Sequence, residues 1–171
     1  MADTPDFERV LIDSTISKVP ADATGAKGGF EAAAIGRSRG GLTTELHAAV
    51  DAIGLPLPLH PTPGQHGDRP QAEAPLSGLQ GVGHVIADAA CDADPLRAFI
   101  AQDLGATAQI KPNPSRSASP PIDWRLYKER HQVERFFNKL KRFRRIVLRC
   151  EKTLPPFMGF VHLACAMIWL R

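Results

Sequence analysis

Residues 126–143 place the strongest constraint on the fold, because their apolar side chains recur at helical spacing. We predict a helix over residues 123–145, with one apolar side that faces a core. The apolar positions are Leu126, Val133, Phe136, Phe137, Leu140 and Phe143. A neighbouring stripe carries Tyr127, Arg130, Glu134 and Lys141. At about 100° per residue, Tyr127, Glu134 and Lys141 lie roughly 60°, 40° and 20° from Arg130.

This stripe combines a phenol, a guanidinium, a carboxylate and an ammonium group beside a buried helix side. Such a set suits a site that binds metal and phosphate. The alternative is a solvated charged face, on which Glu134 and Arg130 pair at i,i+4 for only tenths of a kcal/mol.

The basic charge of the chain is concentrated around this helix. Residues 124–152 carry eleven Lys/Arg and three Asp/Glu, a net charge of +8, whereas the remainder of the 171 residues carries −5. A basic block beside an acidic body indicates a polyanionic partner on one side of a single domain. A solvated basic helix end is the simpler interpretation.

Several classes of protein are disfavoured by the sequence. Cys91, Cys150 and Cys165 form no CxxC or Cys/His pattern, which argues against a zinc site and a disulfide framework and suits a reducing cytoplasm. The acidic, polar amino terminus does not resemble a signal peptide. The apolar run at 157–170 is too short for an ordinary membrane span, so we expect a buried helix there and no membrane partner.

The order of predicted elements favours a mixed sheet covered by helices. Strands are predicted at 7–14, 42–50, 55–59, 83–87 and 108–110, with a turn at 51–54. Helices are predicted at 71–79, at 94–104 with Asp94 as N-cap, and from 155 or 156 to 170. Segments 16–40 and 111–122 are expected to be flexible loops, because the first is rich in Gly and the second in Pro and Ser.

Two aspartates follow apolar runs of the predicted strands. Asp13 ends the first strand, and Asp88 directly follows the run at 83–87. Each has a simpler interpretation, Asp13 as a strand-end or turn residue and Asp88 as a cap. Asp92 is interpreted as a loop residue.

The spacing Tyr-x2-Arg-x3-Glu-x6-Lys resembles the signature around the last acidic residue of DDE-type insertion-sequence transposases. Residues 129–146 look like the final catalytic helix of the insertion-sequence-five family. Three upstream segments resemble its other motifs in the same order: Leu-Ile-Asp-Ser-Thr at 11–15, the hairpin entry at 36–47, and Val-Ile-Ala-Asp at 85–88. The similarity covers nearly the whole chain.

This resemblance implies an α/β, ribonuclease-H-like fold, a mixed sheet flanked by helices, formed by one catalytic domain over residues 1–171. It also implies Mg²⁺-dependent DNA strand cleavage and 3′-hydroxyl strand transfer. Asp13, Asp88 and Glu134 would be the catalytic, metal-binding residues. Our hypothesis is that Asp13 and Asp88 share one of two Mg²⁺ ions, that Asp13 and Glu134 hold the other, and that Mn²⁺ can substitute.

The basic residues would then contact DNA. Tyr127, Arg130 and Lys141 would bind phosphates near the cut or steady Glu134. A sequence-independent backbone track would continue along Lys139, Arg142, Arg144, Arg145 and Arg149. Trp124 is interpreted as a base-stacking or structural aromatic residue. Element ends and target DNA are the expected partners, together with a second copy of the chain in the synaptic complex, which suggests a cytoplasmic, nucleoid-associated protein.

Two departures from the family pattern suggest alternatives. Ala89, Ala90 and Cys91 stand where family members usually carry Lys and an aromatic residue, and no N-terminal helix-turn-helix DNA-recognition domain is visible. We therefore expect the catalytic part alone, such as the second reading frame of a two-frame element. The rivals are a degenerate remnant that binds DNA without cutting, and a nuclease of the same fold that acts on RNA–DNA hybrids.

Overall fold

A computed structural model describes residues 5–25, 27–66 and 71–170. The strands are β1 Arg9–Lys18, β2 Gly36–Ser38, β3 Gly41–Val50, β4 Pro56–Pro63, β5 His84–Ala87 and β6 Thr107–Ile110. The α-helices are α1 Gly29–Ala32, α2 Asp94–Gln102, α3 Trp124–Tyr127, α4 His131–Leu140, α5 Arg144–Val147 and α6 Leu154–Trp169. Short 3-10 helices cover Ala21–Ala23, Ala74–Leu76, Ala89–Cys91 and Lys128–Arg130.

The six strands form one mixed sheet. Its order is β2-β3-β1-β5-β6, and β4 pairs with β3. The central strand β1 runs antiparallel to β3 and parallel to β5, and β5 runs parallel to β6. The predicted mixed sheet flanked by helices is confirmed, and its arrangement is consistent with a ribonuclease-H-like fold.

The alternation of side chains along the strands divides the core between the two faces of the sheet. On one face, Leu11 and Ile86 pack with residues of α4, α5 and α6. On the other face, Val10, Ile12 and Val85 pack with Leu96 and other residues of α2. Asp13 and Asp88 share the parity of Leu11 and Ile86 and therefore belong to the α4 face.

The C-terminal helical region is less regular than its sequence period predicts. The helix predicted over 123–145 is divided into α3, a 3-10 turn, α4 and α5. α4 ends at Leu140, and Phe143, the N-cap of α5, has an extended backbone with φ −84° and ψ 102° that redirects the chain. Phe143 still packs against the core. Its position therefore fits the helical spacing of apolar residues in the sequence, although it lies outside α4.

Other boundaries also differ. β1 continues to Lys18, so Asp13 lies within the strand and not at its end. Ala93, not Asp94, occupies the N-cap of α2. The segment predicted as a helix at 71–79 contains the 3-10 turn Ala74–Leu76 and no α-helix. Segment 16–40 contains the end of β1, α1 and β2.

The predicted turn at 51–54 and the C-terminal helix are confirmed. Asp51 accepts hydrogen bonds from the backbone N–H groups of Ile53 and Leu55 at 3.1 and 2.7 Å. Gly54 adopts a φ of +85°, which favours glycine at this turn. None of the helices in the described parts of the chain has the length and apolar character needed to span a membrane.

Candidate active site

Asp13 lies in β1, and Asp88 directly follows β5, the parallel strand next to β1. In the register of β1 and β5, Leu11 stands beside Ile86. Asp13 and Asp88 are each two residues further along, and Asp88 keeps an extended backbone. The register therefore predicts that the two residues stand side by side at an interstrand spacing of about 4.8 Å. Both side chains are partly exposed, as a site that receives a ligand requires.

Asp88 also caps the 3-10 turn that follows β5. Its Oδ1 atom accepts a hydrogen bond from the N–H of Ala90 at 2.8 Å. The simpler interpretation of Asp88 as a cap is therefore correct for one of its two oxygens. The cap fixes the orientation of the Asp88 carboxylate at the end of β5.

Arg130 connects the sheet to helix α4. Its Nη1 donates to Asp13 Oδ2 at 2.9 Å, and its Nη2 donates to Glu134 Oε1. Glu134 is one helical turn beyond Arg130, so both side chains leave the same side of the helical segment. The guanidinium thus joins two carboxylates that are 121 positions apart in the sequence.

The electrostatics of Arg130 and Tyr127 place Asp88 in the same neighbourhood. Burial opposes charge on Arg130, but Asp13, Glu134, Tyr127 and Asp88 raise its pKa above the ordinary value. Burial raises the pKa of Tyr127, as do the three carboxylates, against a lowering effect of Arg130. Arg130 is therefore a cation, and Tyr127 keeps its phenolic proton, in a site of net negative charge.

Two contacts that the sequence did not suggest orient this helical segment. Arg9 Nη1 donates to Glu129 Oε1 at 2.6 Å and ties the start of β1 to the 3-10 turn that carries Arg130. Asp123 Oδ1 accepts from the N–H of Arg125 at 2.8 Å and caps α3. Trp124 is 56% exposed and meets Tyr127 edge-on, with ring centroids 5.6 Å apart.

The two motifs at 11–15 and 36–47 pair with each other across β1 and β3. Ser14 stands opposite His47 in the antiparallel register, and Ser14 Oγ donates to Glu45 Oε1 at 3.0 Å. His47 is buried, and its Nε2 lies 2.9 Å from Thr62 Oγ1. These residues lie on the opposite face of the sheet from Asp13, where they support the strand that carries it.

The predicted DNA contacts on the helical segment divide into exposed and buried residues. Lys141, Arg144 and Arg145 line an open depression of about 570 Å³ together with Val147, Leu148 and Cys150. Lys139 and Arg142 are exposed beside a second depression of about 320 Å³. Arg145 also forms an ion pair with Glu151 at 2.6 Å and lies 4.3 Å from the centroid of the Phe160 ring.

The prediction that Arg149 contacts the DNA backbone is wrong, because this residue is fully buried. Its guanidinium donates to Ala33 O at 2.7 Å, Thr44 Oγ1 at 2.6 Å and Glu151 O at 3.0 Å. It also stacks near Phe157, 4.7 Å from the ring centroid. Arg149 therefore joins the segment after α5 to β3, a structural role that its position in a basic run concealed.

The donor set has the chemistry of a divalent-cation site. Asp13, Asp88 and Glu134 offer carboxylate oxygens, the ligands that Mg²⁺ prefers. Within residues 5–25, 27–66 and 71–170, no three His, Cys, Asp or Glu side chains form a ready-made metal-binding group. The guanidinium of Arg130 is instead the cation between Asp13 and Glu134. The carboxylates are thus suitable ligands for a divalent cation, but Arg130 would have to move before a metal could bind between Asp13 and Glu134.

Comparison with known proteins agrees with this arrangement. Residues 4–169 match the family model described as the transposase DDE domain. The chain is also 78% identical over 130 residues to a Brucella ovis protein named "Putative transposase for insertion sequence element IS6501". That alignment covers 76% of this chain and the whole of the relative. No solved structure matches the chain significantly. The narrower insertion-sequence-five assignment stays a prediction, but the chain belongs to the DDE-domain family of transposases.

Proposed function

We propose that this transposase domain cleaves a DNA strand at the end of an insertion element and joins the released 3′-hydroxyl to target DNA. Asp13, Asp88 and Glu134 are its proposed catalytic residues. One observation carries the proposal. Arg130 binds Asp13 and Glu134 at once, and Asp88, which directly follows the strand beside β1, interacts electrostatically with Arg130.

The same carboxylates are the proposed ligands of two Mg²⁺ ions, with Asp13 and Asp88 on one ion and Asp13 and Glu134 on the other. When bound, a pair of divalent cations stabilises the entering and leaving oxygens of a phosphodiester. Mn²⁺ is expected to substitute, because it accepts the same oxygen ligands.

The side chains around the carboxylates have complementary tasks. Arg130 is a permanent cation that can grip a phosphate through two N–H groups. Tyr127 keeps its proton and can donate a hydrogen bond, since its pKa is raised mainly by burial. Both groups would hold the DNA backbone beside the carboxylates.

We expect the bound DNA backbone to extend from this site along β1. Asp13 and Lys18 are five residues apart, about 17 Å of strand, and Leu148 at the depression bridges to Lys18. That distance equals the rise of about five base pairs. The exposed cations that would follow the backbone are Lys139, Lys141, Arg142, Arg144 and Arg145.

The proposed partners follow from this chemistry. Element ends and target DNA are the substrates, and a homo-oligomer would bring two ends together in the synaptic complex. The place of action would be the cytoplasm, at the nucleoid.

The test is divalent-metal-dependent nicking of a duplex that contains the element end. Asp13→Asn, Asp88→Asn and Glu134→Gln should each lower the rate about a thousandfold, because several kcal/mol of transition-state stabilisation is lost and each 1.4 kcal/mol is tenfold. The matched control is Asp103→Asn, which changes an exposed carboxylate at the end of α2. Circular dichroism would verify the fold of every variant.

Equal nicking by the wild-type protein and a triple Asn/Asn/Gln variant would refute these assignments. Duplexes without element ends and RNA–DNA hybrids, assayed in parallel, would reveal a nuclease of different specificity. Strand transfer would be measured as joining of a 3′-labelled end to a target plasmid.

One observation favours a second candidate, a remnant that binds DNA without cutting. Asp13 and Glu134 bind Arg130, and the three carboxylates do not form a ready-made metal group among the described residues. Steeply salt-dependent DNA binding without nicking in Mg²⁺ or Mn²⁺ would support this candidate. Nicking that requires Asp13 would exclude it.

A further inference from the structure

The position of Arg130 raises a question about how a metal would enter the site. Its two terminal nitrogens each bind a different carboxylate, Asp13 through Nη1 at 2.9 Å and Glu134 through Nη2. These are two of the three proposed metal ligands. A divalent ion and the guanidinium would therefore compete for the same oxygens.

A second ion pair fixes the turn from which Arg130 reaches the two carboxylates. The 3-10 turn Lys128–Arg130 is tied to the start of β1 through Glu129 and Arg9, at 2.6 Å. Glu134 lies one turn further along the same helical segment. The guanidinium thus reaches Asp13 from a turn that is itself anchored to β1.

A cation of this kind satisfies the carboxylates in the absence of metal. The like charges of Asp13, Asp88 and Glu134 repel one another, and the permanent positive charge of Arg130 offsets that repulsion. Mg²⁺ requires ligand oxygens at about 2.0–2.1 Å. An ion so close to the Arg130 guanidinium would be strongly repelled, so both cations cannot occupy the gap between Asp13 and Glu134.

DNA offers the guanidinium another partner. The side chain of Arg130 is 23% exposed, so a ligand at the surface can reach it. A phosphate accepts two parallel N–H bonds from a guanidinium, as a carboxylate does. A backbone phosphate beside the site could draw Arg130 outward and leave Asp13 and Glu134 to a metal.

We propose that Arg130 is a latch that holds Asp13 and Glu134 in the metal-free protein, and that a DNA phosphate releases it, so that DNA and divalent metal bind cooperatively. This inference rests on the proposed metal site. Because coupling between two binding sites is reciprocal, metal must tighten DNA binding by the same factor by which DNA tightens metal binding.

The experiment measures Mn²⁺ affinity directly, by electron paramagnetic resonance of the unbound ion, with the full chain. Arg130→Gln should bind Mn²⁺ about tenfold more tightly than wild type without DNA, within the 5- to 150-fold range usual for coupled sites. The matched control is Arg135→Gln, which removes one positive charge from an exposed position of the same helix. Its affinity should stay within about twofold of the wild type.

The second arm adds a short duplex at a fixed concentration. DNA should tighten Mn²⁺ binding by the wild-type protein and by Arg135→Gln, but not by Arg130→Gln. The Asp13→Asn variant supplies the baseline for Mn²⁺ bound by the DNA itself. This readout needs no turnover, so it is independent of nicking activity.

Each outcome decides a different point. Equal Mn²⁺ affinity of Arg130→Gln and wild type, with binding that Asp13→Asn abolishes, overturns the latch and keeps the metal site. No binding above the Asp13→Asn baseline in any variant overturns both. If Arg130→Gln melts below the assay temperature, Arg130→Lys replaces it. That variant has no fork to bridge the carboxylates, so its affinity should exceed the wild-type value, and an unchanged affinity overturns the latch.

Discussion

Asp92, interpreted from the sequence as a loop residue, is a buried carboxylate that joins three parts of the chain. Its side chain is 0% exposed. It accepts hydrogen bonds from the N–H of Asn113 at 2.7 Å, from Arg97 Nε at 2.8 Å and from Arg116 Nε at 3.0 Å. We predict that this carboxylate fastens the segment 111–122, which leads into the site helices, to the start of α2.

The variant Asp92→Ala removes one partner of a buried ion-pair network. Such changes typically cost about 3–5 kcal/mol, because the remaining charges lose their partner. The lower end of this range applies here, because the side chains of Arg97 and Arg116 are 14% and 21% exposed and can be hydrated when the carboxylate is removed. A loss of about 3 kcal/mol in the free energy of unfolding lowers the Tm of a chain of this size by about 6–12 °C.

The assay is thermal and urea unfolding at neutral pH, followed by circular dichroism. The control is Asp103→Ala, an exposed aspartate just beyond α2, which should change stability by no more than about 0.5 kcal/mol. Equal stability of the two variants would refute the fastening role of Asp92.

The pH dependence provides a second check on the same carboxylate. Burial works to raise the pKa of Asp92, but its bonds to Asn113, Arg97 and Arg116 outweigh burial and lower the pKa below the usual 3.8. A depressed pKa in the folded state means that the contribution is complete above about pH 4 and is lost as the pH falls through the folded-state pKa. The stability difference between wild type and Asp92→Ala should therefore shrink below pH 4, and a difference that grows there would contradict this reasoning.

Two further predictions concern the basic run and the cysteines. Arg144→Gln should reduce the slope of log affinity for DNA against log salt by about 0.9. Arg149→Gln should leave that slope unchanged and lower the free energy of unfolding by roughly 1–3 kcal/mol. The reverse pattern would contradict the assignment of Arg149 to the core. Burial raises the pKa of Cys165 to about 12, so iodoacetamide at pH 8 should modify the exposed Cys150 and spare Cys165 in the native protein, as mass spectrometry of peptides would verify. Equal labelling of both would count against the buried position of Cys165.

The helix that carries Arg130 and Glu134 could be predicted because its signal is local. Apolar residues at helical spacing indicate which side is buried, and charges at i,i+4 then lie together whatever the rest of the chain does. The structure confirms that Val133, Phe136, Phe137 and Leu140 are buried. The break at Phe143 was not predicted, because an apolar side chain can pack against a core from an extended backbone as well as from a helix.

The fate of individual charges could not be predicted from the local sequence. Arg149 and Arg144 lie in the same basic run, yet Arg149 is buried and Arg144 is exposed. Asp92 is buried and pairs with Arg97 and Arg116, whereas Asp88, four residues earlier, is partly exposed. Whether a charged side chain is buried depends on which distant segments pack against it, and the neighbouring sequence does not specify those segments.

The sequence by itself therefore determined the class of the fold, the family and the side chains available at the site, because periodicity and motif spacing are properties of neighbouring residues. Only the tertiary structure decided that Asp13 stands level with Asp88 and that Arg130 lies between Asp13 and Glu134. Strand register and helix docking are settled by packing between segments as many as 121 residues apart. The same packing puts the Arg130 guanidinium where we propose that a metal binds.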